Sequence, residues 1–414
     1  MSTFLIIGGG IIGTTTAYYL AKAGADVTLV EKGEIAAGSS YGNAGLICPC
    51  HSHPIPAPGV LTQGLKWLLD PESPFYIKPR LSPELAQWLW QFQRFCTIEA
   101  SHRAIPLLRD MQRNSLKLYE EIIAEEAIEC AFEKKGGLTL FRTEKGLENG
   151  RHEVEGMNGF GLDMELLPNT TAVRNIEPNI DPSVIGGIHY REDAHINPAQ
   201  FVFGLGQKLQ AAGVKLMTQT EVLGFDGDSR RITAVRTTKG KLTPKQIILA
   251  SGAWSTQLAH QAGVRILMEP AKGYSITIKR PTNYLHTHLH LFESSMAVTP
   301  MGDTIRFAGT LELAGFDFSI NQRRVNAIRR GAHSYLQGLE GQEIVEIWGG
   351  MRPCAPDGLP YIGRTYKYNN LIIATGHAML GMAMGPVTGK LVSQIACGEQ
   401  PLLNIAAFAA DRFG

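Results

Sequence analysis

The first thirty residues alternate between apolar runs and glycine in a way that predicts three consecutive elements. Residues 4–7 (FLII) form an uninterrupted apolar run, as a strand buried on both faces would. A glycine turn follows, then a helix over 11–23 with Ala17 and Leu20 on one face, closed by Gly24. Residues 25–30 (ADVTLV) read as a second strand, which completes a βαβ unit. Residues 44–58, rich in Pro, Cys and His, read as loop. From 83 to 131 the spacing of Leu107, Met111, Leu118, Ile122 and Ile123 is helical. Within it, PELAQWLWQFQRF (83–95) is amphipathic; packing against the rest of the chain is the preferred reading, and contact with a membrane surface the other. Strands are expected at 137–142, 187–190, 214–218, 232–237, 246–250 and 371–374, and helices at 198–212, 321–336 and 385–396. Residues 274–279, 289–292, 296–299 and 305–309 alternate as antiparallel strands do. The fold class expected is α/β: a discontinuous Rossmann-type nucleotide domain (1–50, 193–260 and 346–414), with an inserted mixed, largely antiparallel substrate domain (51–192 and 261–345).

Composition removes several function classes. The formal net charge is +1, so nothing favours nucleic acid, and no apolar run is long enough for an integral membrane segment. Six scattered cysteines outline no disulfide framework, and the N-terminus lacks a signal-peptide pattern. A soluble cytoplasmic protein is expected, with peripheral contact at the inner face of a membrane left open. Glycine is abundant, with 45 residues, and clustered.

The first cluster carries chemistry. Gly8, Gly10 and Gly13 fit G-x-G-x-x-G between a strand and a helix, and Glu31 ends the next strand. Gly8 permits the turn, Gly10 lets a pyrophosphate reach backbone amides beside Ile11 and Ile12, and Gly13 lets helix and strand pack. Glu31 accepts ribose hydroxyls and repels a 2′-phosphate; Lys32 adjoins it. A second small-residue run, with Ser39, Ser40, Asn43, Ala44, Gly45 and Leu46, suits a further pass along a long dinucleotide. Val222, the turn Ser251-Gly252 with Trp254, and Gly376, His377, Leu380 and Gly381 add separated contacts. Together they favour FAD over NAD. Cys48, Cys50, His51 and His53 are too crowded for a tetrahedral zinc site without a distant second ligand pair, so no metal is expected.

These residues together resemble the FAD-dependent amine oxidoreductases of the D-amino acid oxidase superfamily, and among them the bacterial D-amino acid dehydrogenases. The likeness runs along nearly the whole chain: the opening fingerprint, Ser39 to Gly45, PAKGYS from Pro270, WGGMRP from Trp348 with PDGLP from Pro356, and TGH from Thr375 with Leu380-Gly381. Met382-Ala383-Met384-Gly385-Pro386 departs from the more polar residues of that family, and the CPCHSH loop (48–53) is unusual.

The resemblance implies noncovalent FAD, with Gly350 beside the ring. It also implies Arg352 as the clamp on a substrate carboxylate, the other reading being an ion pair with Asp357. Tyr274 could lend its hydroxyl to that carboxylate or be a half-buried strand residue. His377 would hold or tune the ring, and His51 would reach the active site. Arg306, Glu312, Glu293 and Asp317 lie in the inserted region, where shaping the pocket is one reading and a solvated face the preferred one; the methionines of 379–384 read as packing. The expected reaction is oxidative deamination of a small D-amino acid, with electrons passed to a quinone or dye-type acceptor. A glycine, sarcosine or proline-type secondary amine oxidase is the alternative, and a non-catalytic nucleotide-binding module is one of another class.

Overall fold

The computed structural model describes residues 3–67 and 73–413, with no side-chain description at 63 and 65–67. The expected segments' extreme ends, residues 1–2 and 414, lie outside the described residues, and so does the start on which the signal-peptide reading rests.

The apolar runs do form a parallel sheet. Phe4–Ile7 lies between Val27–Val30 and Gln246–Leu249, with Phe4 opposite Val27 on one side and Gln246 on the other. Lys215–Met217 extends the sheet beyond Val27–Val30, Leu371–Thr375 joins the far side, and Tyr361–Arg364 closes that edge antiparallel. Phe4–Ile7, Val27–Val30 and Leu371–Thr375 are buried throughout, because helices cover both faces of such a sheet. One of these, Ile11–Lys22, crosses Gly385–Cys397 at close range. A Cβ at Gly389 would lie 2.5 Å from the Thr15 carbonyl carbon, so glycine sets that approach. Thr15 Oγ1 also donates to the Gly385 carbonyl.

The second sheet has nine strands and is mixed. Next to one edge, Glu269–Lys279 pairs antiparallel with Thr304–Leu313 on one side and with the edge strand Ile344–Cys354 on the other. Two pairings are parallel: His288–Leu291 with Gly137–Phe141, and Thr304–Leu313 with Phe75–Ile77. The expected boundary at 346 falls inside the strand Ile344–Cys354, which belongs to this sheet and carries Trp348, Gly350 and Arg352 into it. The helical region expected over 83–131 is two helices, Pro83–Phe95 and Ile98–Glu126, because Thr97 takes extended backbone and caps the second through its hydroxyl. Trp88 and Phe92 of the first helix are buried and stacked, as its packing reading requires, while Trp90 on the other face is exposed. A helix at Glu144–Asn158, a strand at Met164–Leu167 and a helix at Thr170–Ile176 went unpredicted; the first helix is largely polar, and the strand (MELL) and second helix are short.

Candidate functional site

The glycine turn builds a cradle. Gly8 sits at φ +116°, and a Cβ at Gly13 would lie 1.8 Å from the Gly8 carbonyl oxygen, so neither position tolerates a side chain. The amide of Ile11, at the helix N-terminus, donates to Ser40 Oγ at 2.9 Å. The Glu31 carboxylate accepts from the amides of Gly9 (2.7 Å) and Gly33 (2.9 Å), which fixes its orientation and leaves lone pairs for ribose hydroxyls. Gly8, Gly10, Ile11, Ile12, Glu31, Gly33 and Ser40, with Lys32, Val222, Ser251, Gly252, Trp254, His377 and Gly381, line one cavity of about 310 Å³, and Gly13 packs behind it. Lys32 Nζ lies over the Trp254 ring at 4.7 Å. Gly45, Leu46, Gly350 and Leu380 stand outside that lining; Gly45 (φ +71°) shapes the second loop, and Leu46, Gly350 and Leu380 line a neighbouring cavity. Gly376 (φ +82°) turns the chain after the last parallel strand, with Tyr361 against it. A long, narrow slot with amide donors at a helix end and an oriented carboxylate beyond fits a dinucleotide. We expect Glu31→Ala to weaken cofactor binding by about 1.5–3 kcal/mol, the range for hydrogen bonds to a charged group. Flavin retention on gel filtration or dialysis titration measures it.

The neighbouring cavity measures about 840 Å³ and meets the slot at Ser39, Asn43 and Ala378, which line both. The second small-residue loop is the partition. Ser39 Oγ donates to the Met351 carbonyl, Asn43 Oδ1 accepts from the Gly45 amide, and Arg306 Nη1 donates to the carbonyls of Tyr41 and Asn43 at 2.8 and 3.0 Å. A Cβ at Gly42 would fall 2.0 Å from the Trp348 ring, and one at Gly350 1.8 Å from it, so the indole lies against two bare backbones.

Arg352 lines the larger cavity, its guanidinium against the bare Cα of Gly273. Its position depends on a bulge: between Lys272 and Tyr274 the paired strand advances from Glu312 to Gly309, three residues against two. The bulge puts Thr310 at φ +65° and turns its carbonyl onto Arg352 Nη1, 2.7 Å away. Among the described residues no carboxylate pairs with Arg352, and burial lowers its pKa. Asp357 is instead held by Arg412, at 2.7 and 3.0 Å.

Tyr274 also borders this cavity, but its hydroxyl donates to Glu312 Oε2 (3.1 Å) and accepts from the Asn321 amide (3.3 Å). The ring is therefore a wall, and the hydroxyl is already engaged. His377 is buried, its Nε2 hydrogen-bonded to Thr388 Oγ1 at 3.0 Å, and burial pushes its pKa down to about 3, so the imidazole is neutral. His51 lines the larger cavity against Tyr190, with its pKa lowered by burial. The solvated face expected for Arg306 and Glu312 is corrected: both are buried, because helices and loops cover this sheet on both sides. Glu312 forms ion pairs with Arg324, whose Nε lies 2.8 Å from Oε1, and with Lys272, whose Nζ lies 3.3 Å from Oε2. Glu293 is drawn in by Tyr335 and Arg142's backbone, whereas Asp317 keeps partial exposure beside Lys78 and Lys272. Met382 and Met384 pack in the core between helices.

Comparison with known proteins agrees with this geometry. The profile of the DAO family, FAD dependent oxidoreductase, matches residues 3–395. A D-amino acid dehydrogenase of Bradyrhizobium diazoefficiens is 32% identical over 99% of this chain and 98% of its own. One from Helicobacter pylori is 31% identical over 95% and 94%. In fold, glycine oxidase from Geobacillus kaustophilus superposes with a TM-score of 0.81 at 23% identity, covering 99% and 98% of the two chains. L-proline dehydrogenase from P. horikoshii gives 0.77 at 23%, covering 100% and 97%. No helix among the described residues is long and apolar enough to cross a membrane. With a dinucleotide slot opening onto a cavity that holds an arginine without an acid, and a family profile spanning both sheets, the chain belongs to the FAD-dependent oxidoreductases of the DAO family.

Proposed function

We propose that the chain is a D-amino acid dehydrogenase, oxidatively deaminating a D-amino acid to a 2-oxo acid and ammonia. The observation that carries this is Arg352: a half-buried guanidinium, paired with no acid among the described residues, facing a cavity that joins the dinucleotide slot. A substrate carboxylate would make a bidentate pair there, and burial strengthens that pair. FAD, bound noncovalently in the slot, supplies the two-electron acceptor for a hydride. Everything else the protein does is positioning. Arg352 anchors one end of the amino acid, Ser39 and Asn43 mark the wall against which its Cα–H is presented, and the apolar lining keeps water out. His377, neutral and held by Thr388, supports the slot and moves no proton. Burial pushes the Cys354 thiol up to about 12, which fits a noncovalent cofactor.

The cavity is lined by Ile55, Val60, Phe75, Trp88, Phe92 and Leu311, far more apolar surface than glycine or sarcosine fills. Substrates with apolar side chains are the better match. That these relatives are dehydrogenases supports an acceptor of the quinone or dye class. A cytoplasmic location with peripheral contact to the membrane's inner face accords with this, and exposed Leu81, Trp90 and Ile98 around the helix Pro83–Phe95 give that contact a surface.

Anaerobic mixing with D- and L-amino acids, glycine, sarcosine and proline tests the reading. Apolar D-amino acids should bleach the long-wavelength flavin band fastest. Faster bleaching by glycine, sarcosine or proline would transfer the assignment to the secondary amine class. No bleaching with any amine would leave a nucleotide-binding module.

A further inference from the structure

We infer that Cys48, Asp193 and His288 form a binding site for one divalent transition-metal ion of the zinc class, at the edge of the substrate cavity. The three residues are remote in sequence, and two separate strand pairings bring them together. Leu46–Ile47 pairs antiparallel with Ala194–His195, which sets Cys48 opposite Asp193. His288 pairs with Gly137 in the adjoining sheet. A Cβ at Gly137 would lie 2.1 Å from His288 Nε2, so glycine there makes room for the ring.

The donor atoms converge. Cys48 Sγ is 3.3 Å from His288 Nε2, which is 3.7 Å from Asp193 Oδ2, and all three ligand atoms lie within 4.8 Å of one another. Around one ion with Zn–S about 2.3 Å and Zn–N or Zn–O about 2.0–2.2 Å, tetrahedral angles separate such donors by roughly 3.3–3.6 Å. A nucleophile relay would be arranged otherwise: the acid would hold His288 Nδ1 while the thiol faced Nε2. Here thiol and acid face the same nitrogen, and Nδ1 has no partner.

The buried polar inventory points the same way. Asp193 is wholly buried; its Oδ1 accepts from the Cys50 amide at 3.2 Å, and its Oδ2 has no hydrogen-bond partner. A buried carboxylate oxygen without a donor is costly, and a cation satisfies it. His51 Nε2 lies 3.8 Å from the same oxygen, within reach as a fourth ligand. Beside the site, His195 is buried with both ring nitrogens unpartnered. Thiolate, imidazole and carboxylate together suit zinc, cobalt(II) or iron(II) rather than magnesium or calcium. Coordination would release the Cys48 proton to solvent. Because Cys48 and His51 also line the substrate cavity, the fourth coordination position, within reach of His51, faces that cavity.

The test uses the full chain with FAD bound. It is exposed to zinc, passed through gel filtration and analysed by elemental mass spectrometry and zinc-edge X-ray absorption. We expect about one zinc per chain with a sulfur shell near ~2.3 Å. Cys48→Ser should lose the sulfur shell, and Cys48→Ser and Asp193→Asn should each bind zinc at least ~10-fold more weakly. His152→Gln, at an exposed surface histidine, should leave both unchanged. The wild-type sulfur shell is informative by itself if a variant misfolds. Failure of the wild type to retain zinc, zinc retained without a sulfur shell, or a shell that survives Cys48→Ser would each overturn the site.

Discussion

Arg352→Ala is expected to weaken D-amino acid binding by about 2–5 kcal/mol, or roughly 30- to 5,000-fold, while leaving the cofactor in place. The magnitude follows from the lost charge pair: the variant would leave the substrate carboxylate in an apolar cavity with no cation. The protein's own stability should respond in the opposite sense. In the free protein the half-buried guanidinium lines the cavity and, among the described residues, hydrogen-bonds to the Thr310 carbonyl with no acid beside it, so removing it takes away a partly desolvated charge and costs no ion pair. The melting temperature of the substrate-free variant should therefore equal or exceed the parent's. Comparing a D-amino acid with its amide separates the two effects: against the amide, which lacks the negative charge, the variant should lose far less. Arg352→Lys should recover part of the affinity, since a point charge replaces a planar fork. Equal losses for acid and amide would mean that Arg352 shapes the cavity without gripping a carboxylate.

How much of this was legible before the structure depends on how local each feature is. The dinucleotide slot was readable because its geometry is written in neighbours: a turn, a helix start and a strand end within residues 4–31. Arg352 stood out through the short run of residues around it, yet its alternative partner, Asp357, was settled only by Arg412, sixty residues on. The bulge at Thr310 that aims the guanidinium has no sequence mark, since threonine rarely takes positive φ. Arg306 and Glu312 were misjudged because alternation on a strand identifies a face, not what covers it. The proposed metal site was hard to read from sequence for a related reason. Spacing within 48–53 showed crowded cysteines and histidines, while the other donors come from 193 and 288. His288 and His290, two apart in one strand, did share a face that carries ligand-type side chains.

Replacing Glu312 by alanine should cost about 3–5 kcal/mol of folding stability, the range for breaking a buried ionic group by removing one partner. Glu312 serves three groups at once: Arg324 Nε at 2.8 Å, Tyr274 Oη at 3.1 Å and Lys272 Nζ at 3.3 Å. Alanine would leave two buried cations facing each other across a void, with the tyrosine hydroxyl short of an acceptor. Lys272 retains the Ser319 carbonyl and Asp317, and Arg324 the Ser73 carbonyl, so the damage stays below that of a naked charge. Glu312→Gln keeps the shape and one acceptor and should cost less. A functional consequence accompanies the loss of stability. Tyr274 and Lys272 hold the loop through Ser319 and Asn321, and Phe316 and Phe318 of that loop pack on Trp254 at the dinucleotide slot. Loosening the network should therefore raise the dissociation constant for FAD as well as lower the denaturation midpoint. Flavin fluorescence release and chemical denaturation on the same samples read both. A variant with a parental midpoint would show that the three groups around Glu312 are satisfied without it.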